Sequence, residues 1–242
     1  MADDFRGKVV LVTGASRGIG YAASLEAARR GAHVVAVART IGGLEDLDDE
    51  IQALGGAATL VPFDLADGDA IDRLGAAIFE RWGALDGLVA NAAMLGVLSP
   101  VGHIKPKDFE KTLALNVTAN YRLIRSLDVL LRQAQAGRAV FVSSSAARAN
   151  KPYWGLYGAS KAALEALVRS YAAEMTQTNV RVNLFDPGPV RTAMRAKAMP
   201  GENPDTLPDP TEIAPALIDL VSPRTDAHGQ IFSMREKRFI AA

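Results

Sequence analysis

Short apolar runs alternate along the chain with longer segments whose apolar residues recur every three or four positions. The apolar runs predict seven β-strands, at residues 9–12, 33–38, 58–62, 88–90, 138–142, 180–185 and 230–234. The periodic segments predict helices at residues 19–30, 44–54, 67–82, 107–135, 157–176 and 213–221. Uninterrupted apolar strands are typical of parallel sheets. The alternation therefore predicts an α/β fold, a doubly wound parallel sheet with helices on both faces.

Residues 187–210, the proline-rich segment, differ from the rest of the chain. They hold six of the twelve prolines and show little periodicity. A long irregular stretch in a compact fold is often a lid or a binding loop, and we expect one here. Neither a linker nor an internal repeat divides the sequence, so residues 1–242 are predicted to form one domain.

Composition excludes several classes of function. Apolar residues make up 49% of the chain, charged residues 22%, and 27 basic residues balance 27 acidic ones. This balance gives no electrostatic reason to expect a nucleic acid or an anionic membrane as partner. The chain lacks cysteine and its three histidines are scattered, so we expect no disulfide and no metal site. With no secretory signal and no apolar run long enough for a membrane span, the expected location is the cytoplasm.

A glycine-rich stretch follows the first predicted strand. Gly14, Gly18 and Gly20 stand in a G-x-x-x-G-x-G spacing between that strand and the first predicted helix. Glycine lets the main chain approach a ligand that a Cβ would block. The helix directs its free N–H groups and the positive end of its dipole at the same place, which suits a pyrophosphate.

Two arginines lie where a dinucleotide would place its ribose. Arg39 follows the second predicted strand, at a position where proteins that select NAD usually carry an acid. Arg17 lies within the glycine-rich stretch. Two guanidinium groups near one ribose suit a 2′-phosphate and favour NADP. Surface arginines without a ligand would give the same pattern.

Polar residues also follow the third and fourth predicted strands. Asp64 could accept a hydrogen bond from an adenine amino group or cap the next helix, although Asp67 is better placed to cap it. Asn91 is followed by Ala92 and Ala93, which are small enough to let a cofactor lie close. In a doubly wound sheet these strand ends are where ligands bind.

A tyrosine and a lysine share one face of a later predicted helix. Tyr157 and Lys161 are four residues apart, shortly after the serines at 143–145. A lysine cation and the positive end of the helix both favour a phenolate, which would make Tyr157 a usable acid or base. Most pairs with this spacing are exposed residues without a catalytic role. The position after a strand end favours catalysis here.

Asn116 lies within an apolar helical stretch, where asparagine is unfavourable. Its amide requires partners if it is buried. Either the side chain is satisfied by the surrounding structure, or it opens the helix and holds a water molecule.

In this order the motifs resemble those of the short-chain dehydrogenase/reductase family over nearly the whole chain, in the style of bacterial 3-oxoacyl reductases. The resemblance implies a Rossmann-type sheet of seven strands and hydride transfer between NADP(H) and a carbonyl or alcohol. It implies a catalytic tetrad of Asn116, Ser144, Tyr157 and Lys161. The positions implied for the cofactor are Gly14, Ser16, Arg17, Gly18, Ile19, Gly20, Arg39, Asp64, Leu65, Asn91, Ala92, Ala93, Tyr157, Lys161, Pro187, Gly188, Val190 and Thr192.

The resemblance gives each member of the tetrad a role. Tyr157 would exchange a proton with the substrate oxygen, and Ser144 would hold that oxygen. Lys161 would bind the nicotinamide ribose and lower the pKa of Tyr157. Asn116 would hold a water that links Lys161 to solvent. The family also implies a homodimer or homotetramer, through the helices beginning near Lys107 and Tyr157.

The sequence departs from the family pattern at two places. Ala93 stands where the family usually has glycine, a small change that the site should tolerate. The tail lacks the usual Asp-Gly-Gly and ends in a basic stretch at residues 234–239, which leaves its packing and the tetramer open.

The leading hypothesis is a reductase for a largely apolar ketone or aldehyde. A non-catalytic NADP-binding sensor or scaffold is the alternative from another class. An epimerase or dehydratase is a third, which the complete tetrad and the short chain oppose. The expected pocket residues are Met94, Leu95, Ala146, Arg148, Tyr153, Trp154, Met194 and Met199, although the last two could instead pack within a lid.

Overall fold

A computed structural model describes residues 4–240, and within that range eight strands form one sheet. The strands are β1 (Val9–Thr13), β2 (His33–Ala38), β3 (Ala57–Pro62), β4 (Gly87–Ala90), β5 (Arg138–Val142), β6 (Arg181–Asp186), β7 (Ile231–Ser233) and β8 (Arg238–Ile240). Their order is β3-β2-β1-β4-β5-β6-β7-β8, and β1 to β7 run parallel. The carboxyl ends of these parallel strands therefore meet along one edge, which is where the polar residues of the sequence motifs lie.

Helices cover both faces of the sheet. They are α1 (Gly18–Arg29), α2 (Ile41–Ala53), α3 (Gly68–Trp82), α4 (Pro106–Leu113), α5 (Ala119–Gln133), α6 (Gly155–Glu174), α7 (Ala193–Ala198) and α8 (Pro210–Asp219). Leu11 and its neighbours on one face pack against α3, α5 and α6. Val10 and Val12 face the opposite way, against α2 and α8. Successive strand residues thus enter two separate cores, which explains why the strands are apolar throughout. The predicted α/β fold is confirmed.

The helix predicted at residues 107–135 is wrong as a single element. It is divided into α4 and α5 by one turn of π-helix, Ala114–Thr118. Such turns often occur at functional sites. Asn116 lies in the middle of this turn and is completely buried. The apolar periodicity continues across the turn, so the pattern alone did not reveal the interruption.

The tail adds a strand that the seven-strand prediction missed. β8 pairs antiparallel with β7, and Lys237 in the connecting turn has a left-handed φ of 50°. Phe232 of β7 stacks on Phe185 at a centroid distance of 6.2 Å and meets Phe239 edge to face at 5.3 Å. This aromatic row attaches the basic tail to the sheet.

The proline-rich segment contains α7 and a 3₁₀ turn at Pro204–Thr206. Arg191 binds Asp209 at 2.8 Å near its end, and Arg195 binds Glu202 within it. Asp209 also caps α8 in a capping box with Glu212. No helix in the described range is both long and apolar enough to cross a membrane.

We expect Phe239→Ala to lower the free energy of unfolding by about 1–2 kcal/mol, because a partly buried ring leaves the aromatic row. Chemical denaturation followed by circular dichroism measures this change. The matched control is Arg238→Ala on the same strand, where an exposed side chain is lost and a change within about 0.5 kcal/mol is expected. Equal effects of the two variants would show that the ring does not anchor the tail.

Candidate active site

The glycine-rich stretch has a geometry that demands glycine. Gly14 and Gly18 have positive φ angles of 69° and 60°. Gly20 does not, but a Cβ placed on it would lie 2.3 Å from the carbonyl oxygen of Gly14 and 2.6 Å from Nδ2 of Asn91. Gly20 is therefore required for α1 to pack against the end of β1. The sequence predicted a ligand as the reason for all three glycines, whereas the constraint at Gly20 is internal.

Thr13 connects the ends of β1 and β4. Its hydroxyl oxygen accepts from the main-chain N–H groups of Asn91 and Ala92, both at 3.0 Å. Nδ2 of Asn91 donates to the carbonyl oxygen of Thr13, also at 3.0 Å. Asn91 thus holds two strand ends together, a role that its place after a strand did not reveal.

The start of α1 fits an anionic group. Arg17 occupies the N-cap without a capping hydrogen bond from its side chain, and the first turn contains no acid. The N–H groups of this turn therefore remain available for a phosphate. A Cβ on Gly18 would lie 3.5 Å from the side-chain methyl of Thr192, so the proline-rich segment borders this turn. Gly188, with a φ of 67°, faces open space.

The two arginines differ in their partners. Arg39 forms a long ion pair with Asp64, 3.4 Å between Nη1 and Oδ2, and both side chains are about half exposed or more. Arg17 is exposed and forms no ion pair among residues 4–240. Asp64 does not cap α3, because Asp67 does so by accepting from the N–H groups of residues 69 and 70. Asp64 therefore lies beside Arg39 at the carboxyl ends of β2 and β3.

Several other predicted cofactor residues are fixed by the core. Leu65 and Val190 are buried, and Ile19 packs against the core from its edge. Only the main chain of Leu65 can therefore face a cofactor at the sheet edge. Ser16 is contacted by α2, since a Cβ on Gly43 would lie 2.7 Å from its carbonyl oxygen. Gly43 is a constraint that sequence reasoning missed, because the predicted helix began at residue 44, whereas α2 begins at Ile41.

The three serines after β5 have different surroundings. The hydroxyl of Ser144 accepts from the N–H of Ala146 at 3.2 Å and lies close enough to Tyr157 to lower the pKa of its phenol. Ser143 is buried and donates to Glu165 at 2.6 Å, while Ser145 is exposed. Of the three serines, Ser144 is the one that affects the pKa of the phenol.

Tyr157 and Lys161 lie side by side and are almost fully buried. Nζ of Lys161 lies 5.9 Å from the centre of the Tyr157 ring and donates to the carbonyl oxygen of Val142 at 2.8 Å. Burial lowers the pKa of Lys161 to about 8, against the opposing charge of Glu165. Burial raises the pKa of Tyr157 to about 12, although the nearby Ser144 hydroxyl opposes this rise. Desolvation is the largest cause of the shift, and the negative charge of Asp186 adds to it.

All polar atoms of the Asn116 side chain have partners. Oδ1 accepts from the N–H of Met94, and Nδ2 donates to the carbonyl of Met94 and to the hydroxyl of Ser160, each at 2.9 Å. The main-chain carbonyl oxygen of Asn116 accepts from Nδ2 of Asn120 at 2.9 Å. The asparagine is thus satisfied by the protein, and it also occupies an opened helix. Asn116 therefore connects the segment after β4 to α6. Its partner on α6 is Ser160, which directly precedes Lys161.

An apolar cluster covers the phenol of Tyr157. Trp154 meets the tyrosine ring edge to face at 6.1 Å. The other members of the cluster are Leu95, Leu98, Ala146, Met194 and Ala198. Of the predicted pocket residues, Tyr153 and Met199 are instead exposed. Arg148 was predicted to line the pocket but binds two buried acids, Glu165 and Asp186.

The geometry can be compared with known proteins. A family model described as short chain dehydrogenase matches residues 8–203. The chain belongs to the short chain dehydrogenase family. It is 36% identical over 217 residues to YciK, an uncharacterized oxidoreductase of Escherichia coli K12, covering 88% of this chain and 86% of YciK.

Solved short chain dehydrogenases share the fold over nearly their full length. A structure from Pseudomonas syringae has a TM-score of 0.93 at 36% identity and covers 96% of both chains. One from Shigella flexneri, complexed with NADP, has a TM-score of 0.93 at 34% identity, covering 97% of this chain and 100% of its own.

Sequence reasoning missed the two buried acids of this dehydrogenase. Glu165 lies one helical turn after Lys161, on the apolar stripe of α6 between Leu164 and Val168. Asp186 directly follows four buried residues of β6. An acid at a position predicted to be buried was the available signal, because a buried carboxylate requires a partner.

We expect the stability difference between Lys161→Met and the wild type to depend on pH. The pKa of Lys161 is lower in the folded state, so burial of its ammonium opposes folding below pH 8, and this penalty disappears as pH rises toward 10.5. From pH 7 to 9.5 the wild type should therefore gain about 2 kcal/mol over the variant. Thermal denaturation at both pH values measures this. The exposed Lys197→Met is the control, and a difference that does not change with pH would contradict a buried ammonium.

Proposed function

We propose that this dehydrogenase transfers a hydride between NADP(H) and a ketone or aldehyde, or the corresponding secondary or primary alcohol, with Tyr157 as the acid or base. The observation that carries the proposal is the arrangement of Ser144, Tyr157 and Lys161 at the same sheet edge as the glycine-rich turn. That edge is where dinucleotides bind in this class of fold.

The cofactor would lie across the carboxyl ends of the strands. The free N–H groups at the start of α1 would bind its pyrophosphate. Asp64, Asn91, Ala92 and Ala93 would line the groove, and Pro187, Gly188, Val190 and Thr192 would border the nicotinamide side. Arg17 and Arg39 are exposed where a 2′-phosphate would lie, which favours NADP over NAD. The Shigella flexneri relative complexed with NADP supports this choice.

The nicotinamide, when bound, supplies or accepts the hydride. Tyr157 would donate a proton to the substrate oxygen during reduction and remove it during oxidation. Ser144, which lies near the phenol, would hold that oxygen. Lys161 would bind the ribose and favour the phenolate through its charge. Asn116 would keep the segment after β4 in register with α6 and border a water path to Lys161.

The substrate would be largely apolar next to its carbonyl group. The cluster around Tyr157 consists of aliphatic side chains and Trp154, and the charged Arg148 is turned away to its two acids. A charged substrate group would lose its hydration there without gaining a partner. The proline-rich segment would have to yield, because Met194 and Ala198 cover the phenol.

A non-catalytic NADP-binding sensor or scaffold is the competing function. It would bind the cofactor with the same groove and would not require the buried Lys161 beside Tyr157. Placing an ammonium there is unfavourable for stability, which favours the catalytic function.

We also propose that the protein is a cytoplasmic homodimer or homotetramer. Phe109 of α4 and Tyr121 and Val129 of α5 are at least two-fifths exposed, and a second copy would cover them. The absence of cysteine is consistent with a reducing compartment.

We expect Tyr157→Phe to abolish turnover of apolar ketones, by at least about a thousandfold in kcat, because the proton donor is lost. NADPH binding, followed by nicotinamide fluorescence, should remain within about threefold of the wild type. The control is Tyr153→Phe, which removes an exposed hydroxyl four residues away and should leave kcat unchanged. Turnover retained in Tyr157→Phe would remove this tyrosine from the mechanism, whereas an inactive wild type that binds NADPH would favour the sensor.

We expect Arg39→Asp to reduce the preference for NADPH over NADH by about tenfold to a hundredfold, since a charge-assisted contact to the 2′-phosphate becomes a repulsion. Titration of the variant with both cofactors measures the ratio of their Kd values. Arg73→Asp, an exposed arginine on α3, is the control and should leave this ratio unchanged. An unchanged ratio in Arg39→Asp would mean that Arg39 is only a surface residue.

A further inference from the structure

Two carboxylates are buried beside the proposed catalytic pair. Glu165 is 2% exposed and Asp186 is 5% exposed. The guanidinium of Arg148 binds both, with Nη1 on Glu165 and Nη2 at 2.8 Å from Oδ2 of Asp186. The Arg148 side chain is itself 34% exposed, so it covers the two acids from the solvent side.

These three residues come from three segments that carry the site. Arg148 lies four residues after Ser144. Glu165 lies one turn after Lys161 on α6 and also accepts from the hydroxyl of Ser143 at 2.6 Å. Asp186 ends β6 and accepts from the N–H of Gly188 at 3.1 Å, in the turn proposed to border the nicotinamide.

The charges of the two acids reach the catalytic pair. The negative charge of Asp186 raises the pKa of Tyr157, and that of Glu165 raises the pKa of Lys161. Arg148 is the cation that binds both acids. Arg169 also approaches Glu165, at 3.6 Å, but it does not bind Asp186.

We propose that Arg148 is a positioning residue of the dehydrogenase, which binds Glu165 and Asp186 together and thereby fixes Ser144, the Tyr157–Lys161 pair and the Gly188 turn relative to one another. It also offsets the charge of both acids at the phenol. This inference rests on the proposed function, because it assigns these contacts to the same reaction.

No other charged group that faces Tyr157 in the described residues would mask the effect of Arg148 on the phenol. Lys161 approaches Tyr157 from the same helix, the charge of Asp186 acts on it from β6, and Ser144 lies near it in the turn after β5. Glu165 acts on Lys161, and Arg148 binds the two acids. The segment after β4, the turn before α6 and helix α7 contribute the apolar side chains Leu95, Leu98, Trp154, Met194 and Ala198. The charge at the phenol therefore depends mainly on Lys161 and on the Arg148 cluster, meaning Arg148 with Glu165 and Asp186.

The test measures alcohol oxidation by the full-length protein with NADP as a function of pH. Oxidation needs the phenolate, so its rate rises through the apparent pKa of the acid–base group. Arg148→Ala removes the cation that Asp186 binds and leaves Glu165 with Arg169 at 3.6 Å. We expect kcat/KM to fall about tenfold or more and the midpoint to move up by about one pH unit. The matched control, Arg169→Ala, should change neither value appreciably.

Two further variants separate charge from geometry. Asp186→Asn removes one negative charge and keeps an oxygen for the N–H of Gly188, so the midpoint should move down, opposite to Arg148→Ala. Arg148→Lys keeps the charge but loses the planar two-sided contact, so kcat/KM should fall while the midpoint stays near that of the wild type. Midpoints that do not move in Arg148→Ala and Asp186→Asn, or that move in the same direction, would overturn the proposal.

Failure of the proposed function gives a different experimental result from failure of the positioning proposal. If the wild type binds NADPH but turns over no carbonyl or alcohol, the reductase assignment fails, and the NADPH titration decides the positioning proposal. Binding by Arg148→Ala that is about tenfold weaker than by Arg169→Ala would support a role in placing the Gly188 turn, and equal binding would overturn it. A wild type that neither binds nor reacts would defeat both proposals.

Discussion

Enclosure of the Lys161 ammonium between β5 and α6 is the constraint on which the rest of the site depends. A buried cation is unfavourable by several kcal/mol unless the protein replaces its hydration. Here the replacement consists of one main-chain carbonyl, the neighbouring ring of Tyr157 and the more distant charge of Glu165. Because this compensation is incomplete, the lysine pKa falls to about 8, close to neutral pH. Glu165 in turn requires a partner of its own, which is why the network extends outward to Ser143, Arg148 and Asp186.

Close packing of the main chain is a second constraint on the site, and it acts at two places. Gly20 allows α1 to approach the end of β1, and no side chain larger than hydrogen would fit. The π turn between α4 and α5 brings the amide of Asn116 to Met94 and Ser160, so a side chain joins two segments that no strand pairing connects. The π turn is irregular backbone that these contacts stabilise. These contacts hold the sheet edge in place, which reduces the ordering that binding there would require.

The sequence predicted the sheet and the helices because every central strand enters two apolar cores, and this leaves an unambiguous pattern. It missed β8, whose three residues, Arg238, Phe239 and Ile240, are too few for a strand signal and follow a charged stretch. The residue types of the site were readable from spacing, but their surroundings were not. The pKa of Tyr157 depends on burial by residues from four separate segments. The contact between Arg148 and Asp186 joins positions 38 residues apart.

Asp186 also connects the rigid and the adaptable parts of the site. Its carboxylate is bound to Arg148 and to the N–H of Gly188, so the proline-rich segment leaves β6 from a fixed point. Farther along, the ion pairs of Arg191 and Arg195 are made to acids of the same segment, and α7 meets the site through Met194 and Ala198. Apolar contacts are non-directional and can be exchanged for those of a substrate at little cost. The segment thus combines an end fixed by Asp186 with an apolar surface above the phenol.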